Sequence, residues 1–533
     1  MNRTLKLLLP TVALLLLMLL VGGYLYFFTD SEVFWGGFIA LLFFYGLVFF
    51  LGSYIAARKG NQESDEDVLL AGRSIPLWIA IFTMSATWVG GGYINGAAEA
   101  TYSLGLVWVQ APWGYALSLI IGGLFFAKKM RRYQFKTMLD PLAQRYGEKV
   151  AALFFLPALT GELFWTAAIL SALGSTFGVV LGLDFQSAII LSAIVAIAYT
   201  ALGGLWAVAL TDVVQMVLLL MGLFITLPYA LSYVGGLETA WPIYQAKFGA
   251  AASFLPSEEA LGASYWSWWD YALLLIFGGI PWQVYFQRVL SAKDENTARN
   301  LSILAGVVCL LAAIPPVLIG VVATAADWTA LGGAPENSLE ILPTVIRQMT
   351  PPFVATIGLG AVAAAVMSSA DSSILSSSSM AGWNVYRPLI NPTVSSPQLA
   401  RVIKRCIWLV GTAALLIALK VKSIYELWFL CSDFVYCLIF PALVCALFDK
   451  KSTTAGALAG LIVASILRFG GGDATLNLPA FLPYPDLFPF RTLAMVSGLL
   501  TIIIISRCTQ QYTPPRPLVI VGNEGDVSDE KSN

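Results

Sequence analysis

Apolar positions along this chain gather into long blocks separated by short polar stretches. With roughly 20 apolar residues needed per membrane span, the first half predicts helices near 7–28, 33–57, 74–103, 107–127, 149–181, 186–203 and 205–232. The second half continues with 268–287, 300–325, 345–386, 403–420, 424–448, 452–468 and 491–507, about 14 transmembrane helices in all. The first block shares a basic start, MNRTLK, with signal peptides, but its apolar run is about 22 residues long and lacks an A-x-A site, so it reads as a helix.

Composition agrees with the pattern. The 533 residues are 58% hydrophobic and 11% charged, against about 25% charged in a soluble domain, so the chain reads as an all-α polytopic membrane protein embedded in the lipid bilayer. The 30 basic residues are spread over many short loops and form no nucleic-acid face. With the N-terminus inside, alternate loops on the cytoplasmic side hold 24 Lys and Arg, including KKMRRYQFK at 128–136, and the opposite side holds 6. That asymmetry predicts cytoplasmic N- and C-termini in a multi-pass plasma-membrane protein. Loops at 233–267 and 326–342 then face outward, and the polar tail after 508 is too short for a kinase or nucleotide domain. The six cysteines show no CxxC pair and read as buried thiols. No histidine is present, which excludes Ser-His, Cys-His and His-metal chemistry within the chain, so no enzyme activity is expected.

Two spans break the apolar pattern. In MSSADSSILSSSSM at 367–380, Ser368, Ser369, Ser372, Ser373, Ser376 and Ser379 fall within about 140° on a helix, with Asp371 about 60° beyond Ser368. Serines that bond their own i−4 carbonyls are common in membranes, whereas an intramembrane carboxylate is expensive and marks a binding site or pathway by default. In TMSATWVGGGYINGAAEATY at 83–102, Gly90, Gly91, Gly92 and Gly96 each weaken helix continuity by about 1 kcal/mol relative to Ala. A break there would free carbonyl oxygens, which suit a small hard cation. Close helix packing explains a GGG run equally well. Together the two spans predict an all-oxygen cage for Na⁺.

The set TWVGGGYINGAAEA, MLDPLAQRYG, GELFWTAAI, LTDVVQ, GGIPWQVYFQRV, GLGAVAAAVMSSADSSILSSSSM and ELWFLCSDFVYCLIFP closely resembles the high-affinity choline transporters of the sodium/solute symporter family, over about 33–507. The resemblance implies an inverted-repeat five-plus-five helix symporter fold with flanking helices. Mapped here, an extra helix occupies 1–32, the first family helix and a cytoplasmic loop 33–73, and the first repeat 74–232. An extracellular loop spans 233–267, the second repeat 268–448, two further helices 449–507, and a cytoplasmic tail 508–533. It also implies sodium ions as coupling ions, held by the carbonyls of Ala86, Val89 and Ala365 and the hydroxyls of Ser368 and Ser369. Asp212 in LTDVVQ, with Ser372, matches a second sodium site of some relatives. Animal members are chloride-dependent, which raises Cl⁻ as a further ion, and no anion site is legible.

Choline as substrate carries a trimethylammonium with no N–H to donate, so recognition falls to Coulomb attraction and aromatic faces. The resemblance points to Trp88, Tyr115, Trp165, Trp282 and Trp428, and Asp371, one turn from the sodium serines, is the carboxylate expected nearest the cation. Any single tryptophan among 68 aromatics more often fills core or lipid interface. Glu99 and Glu162 are further intramembrane acids, and Asn95 and Gln283 are alternative partners for the substrate hydroxyl. The expected activity is sodium-coupled choline import by alternating access. Rivals are a sodium symporter for another small solute such as betaine or proline, and a choline-binding membrane sensor. The extra first helix and short tail depart from the animal transporters, and one sequence carries no sign of oligomeric state.

Overall fold

A computed structural model of the chain describes residues 3–28, 33–58, 69–202, 205–420, 424–473 and 475–520. The expected cytoplasmic loop at 59–68 and the end of the tail, 521–533, lie outside the described residues. The principal helices are α1 (Arg3–Phe28), α2 (Trp35–Arg58), α3 (Leu77–Trp88), α4 (Gly91–Leu104), α5 (Ala111–Ile121), α6 (Glu148–Leu181), α7 (Phe185–Leu202) and α8 (Leu205–Tyr233). They continue with α9 (Tyr265–Gly278), α10 (Gln283–Ser291), α11 (Glu295–Ala325), α12 (Pro352–Met380), α13 (Ser396–Ala418), α14 (Ile424–Phe434), α15 (Phe440–Phe448), α16 (Thr454–Gly470) and α17 (Phe490–Thr509). Two isolated bridges, Ile75 with Ala292 and Asp473 with Leu478, are the only β-type pairings among the described residues.

Each of the fourteen apolar blocks is helical. By length and composition eight described helices can cross a membrane, or nine with the bent pair α3 and α4, and three shorter apolar helices accompany them. The polytopic expectation therefore holds, while the count of fourteen crossings is not established. Boundaries moved where proline intervenes. The block at 345–386 divides into a short helix, Ile341–Gln348, and α12, which starts at Pro352 after Pro351, because a proline ring at the first turn forfeits no helical hydrogen bond. The block at 268–287 divides at Gly279–Trp282, where Pro281 withholds an N–H, and its second half runs on to Ser291.

α12 occupies the centre, packed against α2, α6, α8 and α13, while α11 packs against α3, α4 and α5. Every residue of α12 from Gly358 to Met380 is buried. The last two helices form a pair of their own, α16 on α17. They are tied to the bundle by Asp433 of α14, which pairs with Arg468 of α16 at 2.6 Å and with Arg491 of α17 at 2.7 Å. Arg468 also reaches Asp473 at 2.7 Å, and Asp270 of α9 accepts from the Thr492 N–H at 2.7 Å. Arg468, buried, and Arg491, half-buried, both among the outer-side basic residues, thus serve as counter-ions to Asp433.

Small residues let α16 and α17 touch backbone to backbone. A Cβ at Gly460 would run into Ile502 and lie 2.8 Å from the Gly498 carbonyl. Gly460→Leu is expected to destabilise the protein by about 1–3 kcal/mol through overpacking, read as a lower melting temperature of the detergent-purified protein.

Candidate functional site

The bent span is broken between Trp88 and Gly91. Val89 leaves helical geometry at φ −82°, ψ 63° with its N–H on the Ser85 carbonyl, Gly90 is extended, and α4 leaves α3 at 49°. No glycine here takes a positive φ, so their role is close approach. A Cβ at Gly90 would fall 2.5 Å from Ser369 Cβ, one at Gly91 would strike Ala172, and one at Gly92 would meet the Trp428 ring at 2.9 Å. Sequence reasoning expected these glycines to weaken the helix. In the structure Gly91 and Gly92 open a regular helix, α4, and their missing side chains are filled by neighbours.

Ser369 of α12 lies against the break, donating to the carbonyls of Ala86 at 3.1 Å and Thr87 at 3.0 Å. Ala86, Val89, Ala365, Ser368 and Ser369 are all at most 1% exposed. The Ser369 hydroxyl and the Ala86 and Thr87 carbonyls form a neutral, buried group of oxygens at a helix end, the donor chemistry a sodium ion requires. Ser368 is turned the other way, its hydroxyl donating to Asp212. Asp212 also accepts from Thr83 at 2.5 Å.

The expected second sodium residues are accompanied by a side chain the sequence did not single out. Arg288 of α10, fully buried, donates to Ser372 at 2.5 Å and stands 3.5 Å from Asp212. Arg288 falls one residue beyond the predicted span 268–287, a position where the sequence pattern reads it as a cytoplasmic loop cation. Thr87 contributes a further contact to Ser372 at 3.4 Å. Asp371 is fully buried, neither carboxylate oxygen receives a hydrogen bond, and its charged neighbours are Arg288 and Asp212.

The aromatic candidates converge. Trp88 (α3), Tyr115 (α5), Trp165 (α6), Trp282 (the α9–α10 junction) and Trp428 (α14) line one small pocket. Each is only 3–4% exposed. Ring centroids lie 4.8 Å apart for Tyr115 and Trp428, 5.4 Å for Trp165 and Trp282, 5.9 Å for Trp88 and Trp165, and 6.2 Å for Trp88 and Tyr115. The Trp282 indole donates to the Gly278 carbonyl at 2.6 Å, and the Tyr115 hydroxyl is turned to Ser432. The Trp88 indole N–H has no partner. Asp371, expected as the carboxylate nearest the cation, is not among the residues lining this pocket, and Arg288 and Asp212 are its charged neighbours. Asn95 and Gln283 are not in the lining either; Asn95 donates to Ser175 at 3.1 Å, and Gln283 accepts from the Met138 N–H at 2.8 Å.

The remaining serines divide along α12. Ser376 and Ser373 donate to Glu162 at 3.0 and 3.3 Å, whereas Ser377, Ser378 and Ser379 bond their own helix carbonyls. Glu99 is buried and away from the cavity lining.

The pattern of the Sodium:solute symporter family matches residues 68–464. The chain belongs to that family. It is 46% identical over 495 residues to the high-affinity choline transporter 1 of Drosophila melanogaster, covering 89% of this chain and 78% of the relative. It is 45% identical over 493 residues to the Homo sapiens protein described by the same words, covering 88% and 84%. More distantly, it is 25% identical over 477 residues to a sodium/glucose cotransporter of Vibrio parahaemolyticus, covering 84% and 85%. Among solved structures, a substrate-bound, outward-open Na⁺-coupled sialic acid symporter superposes with a TM-score of 0.74 at 20% identity, covering 90% of this chain and 98% of that one. This family member therefore has the all-helical inverted-repeat symporter fold, and sodium is its coupling ion.

Because Ser369 must approach the break, Gly90→Ala is expected to separate α12 from α3. Na⁺ that binds only the folded chain raises the melting temperature by mass action. That sodium-dependent rise should be present in the wild type and lost in Gly90→Ala, as read by thermal unfolding with Na⁺ titrated against choline-free buffer.

Proposed function

We propose that this chain imports choline across the plasma membrane together with sodium, by alternating access. The observation that carries the reading is the pocket whose lining is five largely buried aromatic rings drawn from five different parts of the fold. A quaternary ammonium offers no hydrogen-bond donor, so ring faces held away from water are the chemistry that retains it, each worth about 0.5–2 kcal/mol. The high-affinity choline transporters at 44–46% identity support the same substrate. The unpartnered Trp88 indole N–H is the group at the cavity suited to receive the substrate's hydroxyl oxygen.

The coupling ion is held by the carbonyls of Ala86, Val89 and Ala365 with the Ser369 hydroxyl, and Ser368 joins by exchanging its bond to Asp212. Trp88 is the last helical residue before the break that supplies those carbonyls. Ordering the break around sodium therefore sets the Trp88 ring for choline, which couples the two ligands. The repeats 74–232 and 268–448 supply the elements that rock about this centre, with both termini cytoplasmic. An inside-negative potential of 100 mV contributes about 2.3 kcal/mol per charge, and a tenfold sodium gradient about 1.4 kcal/mol per ion. One sodium thus supports a several-hundredfold accumulation.

In sodium-free proteoliposomes, an outside Na⁺ gradient should drive concentrative uptake of labelled choline by the wild type, and Ser369→Ala should abolish it. Choline that binds without accumulating would replace transport with a sensor, and uptake of betaine in place of choline would move the substrate. Within the cage, Trp88→Leu is expected to raise the KM for choline about 2- to 30-fold, measured as initial uptake rate against choline concentration at saturating Na⁺.

A further inference from the structure

The layer beneath the sodium serines contains the two residues expected to hold a second sodium, Asp212 and Ser372, and they are already bridged by a cation. One terminal nitrogen of Arg288 lies 2.5 Å from the Ser372 hydroxyl and 3.5 Å from Asp212 Oδ2, with all three side chains fully buried. The other terminal nitrogen donates to Gln287 at 3.3 Å, and Gln287 is anchored on the Leu69 carbonyl at 3.1 Å. The guanidinium is therefore held from behind as well as from the front. A sodium ion placed between Asp212 and Ser372 would sit within a few ångströms of a like charge, where repulsion in a water-poor interior is strong. The donor set for a second ion is present, but the space and the charge are taken.

We propose that Arg288 is a tethered counter-cation that stands in for a second sodium, so that one transported sodium, at the Ala86–Ser369 break, accompanies each substrate. The proposal rests on the symporter reading above and deepens it by fixing the number of ions. A guanidinium suits the task because it stays charged and spreads its donors over a plane that can meet a carboxylate and a hydroxyl together. Its charge neutralises Asp212 permanently, and Asp371, which faces the same guanidinium without a hydrogen bond, shares that field. Being covalently attached, this cation moves with α10 and not with the solute. The segment leading into α10 carries Trp282, so the tether joins the charge layer to the wall of the aromatic cavity.

The test counts ions. Saturable binding of radiolabelled Na⁺ to the purified full-length chain should give about one ion per wild-type molecule, and dual-label uptake about one Na⁺ per choline. Arg288→Gln should expose the Asp212–Ser372 donors and raise the binding count to about two, while Arg288→Lys and the neutral pair Arg288→Gln with Asp212→Asn should stay near one. A wild-type count of two overturns the proposal, as does Arg288→Gln that remains folded with a count of one. If Arg288→Gln yields no folded protein, the wild-type count alone decides between one, which supports the proposal, and two, which overturns it. A wild type that binds sodium yet neither binds nor moves choline would sink the substrate reading while leaving the ion count to be scored by itself.

Discussion

The contact on which the site depends is Ser369 lodged against Thr87 and Gly90. A helix interrupted inside a membrane exposes carbonyls that no lipid can satisfy, so it survives only where protein supplies partners. Here the partner is one hydroxyl, reaching the Ala86 and Thr87 carbonyls from a helix that has no room for a side chain at position 90. The arrangement fixes three things together: the carbonyls that can meet a small cation, the 49° change of direction between α3 and α4, and the position of Trp88 at the end of α3. Under the proposed function, a change in what those carbonyls bind is felt by the ring at the pocket wall.

Around this contact the interior is layered by chemistry. The aromatic pocket offers faces and one free indole N–H and no carboxylate in its lining. A lining of rings alone places no buried acid where an empty site would leave it unpaired, a situation that costs several kcal/mol. The acids are instead gathered with Arg288 and the α12 hydroxyls, where Asp212 receives Thr83, Ser368 and the guanidinium, and Glu162 receives Ser373 and Ser376. A second ionic group, Asp433 between Arg468 and Arg491, holds α14 against the terminal helix pair. Since α14 carries Trp428, the cavity wall is linked to helices that take no part in the lining.

The sequence by itself determined the membrane character, the helical blocks, the break near the glycines and the identity of the five rings, because each is written locally or in motifs shared with a known family. Apolar block length specifies a helix whatever surrounds it, and an intramembrane serine or aspartate is conspicuous against hydrocarbon-loving neighbours. Tertiary structure alone decided which polar groups meet. Arg288 sits at the edge of an apolar block, and nothing in a one-dimensional pattern separates a loop cation from one folded inward onto Asp212. Asp371 and Ser369 are two residues apart on one helix, so about 200° of rotation sends one to the guanidinium and the other to the break. The division between Glu162-bound and self-bound serines has the same origin: it is set by where α6 crosses α12, a distance in space that no spacing along the chain encodes.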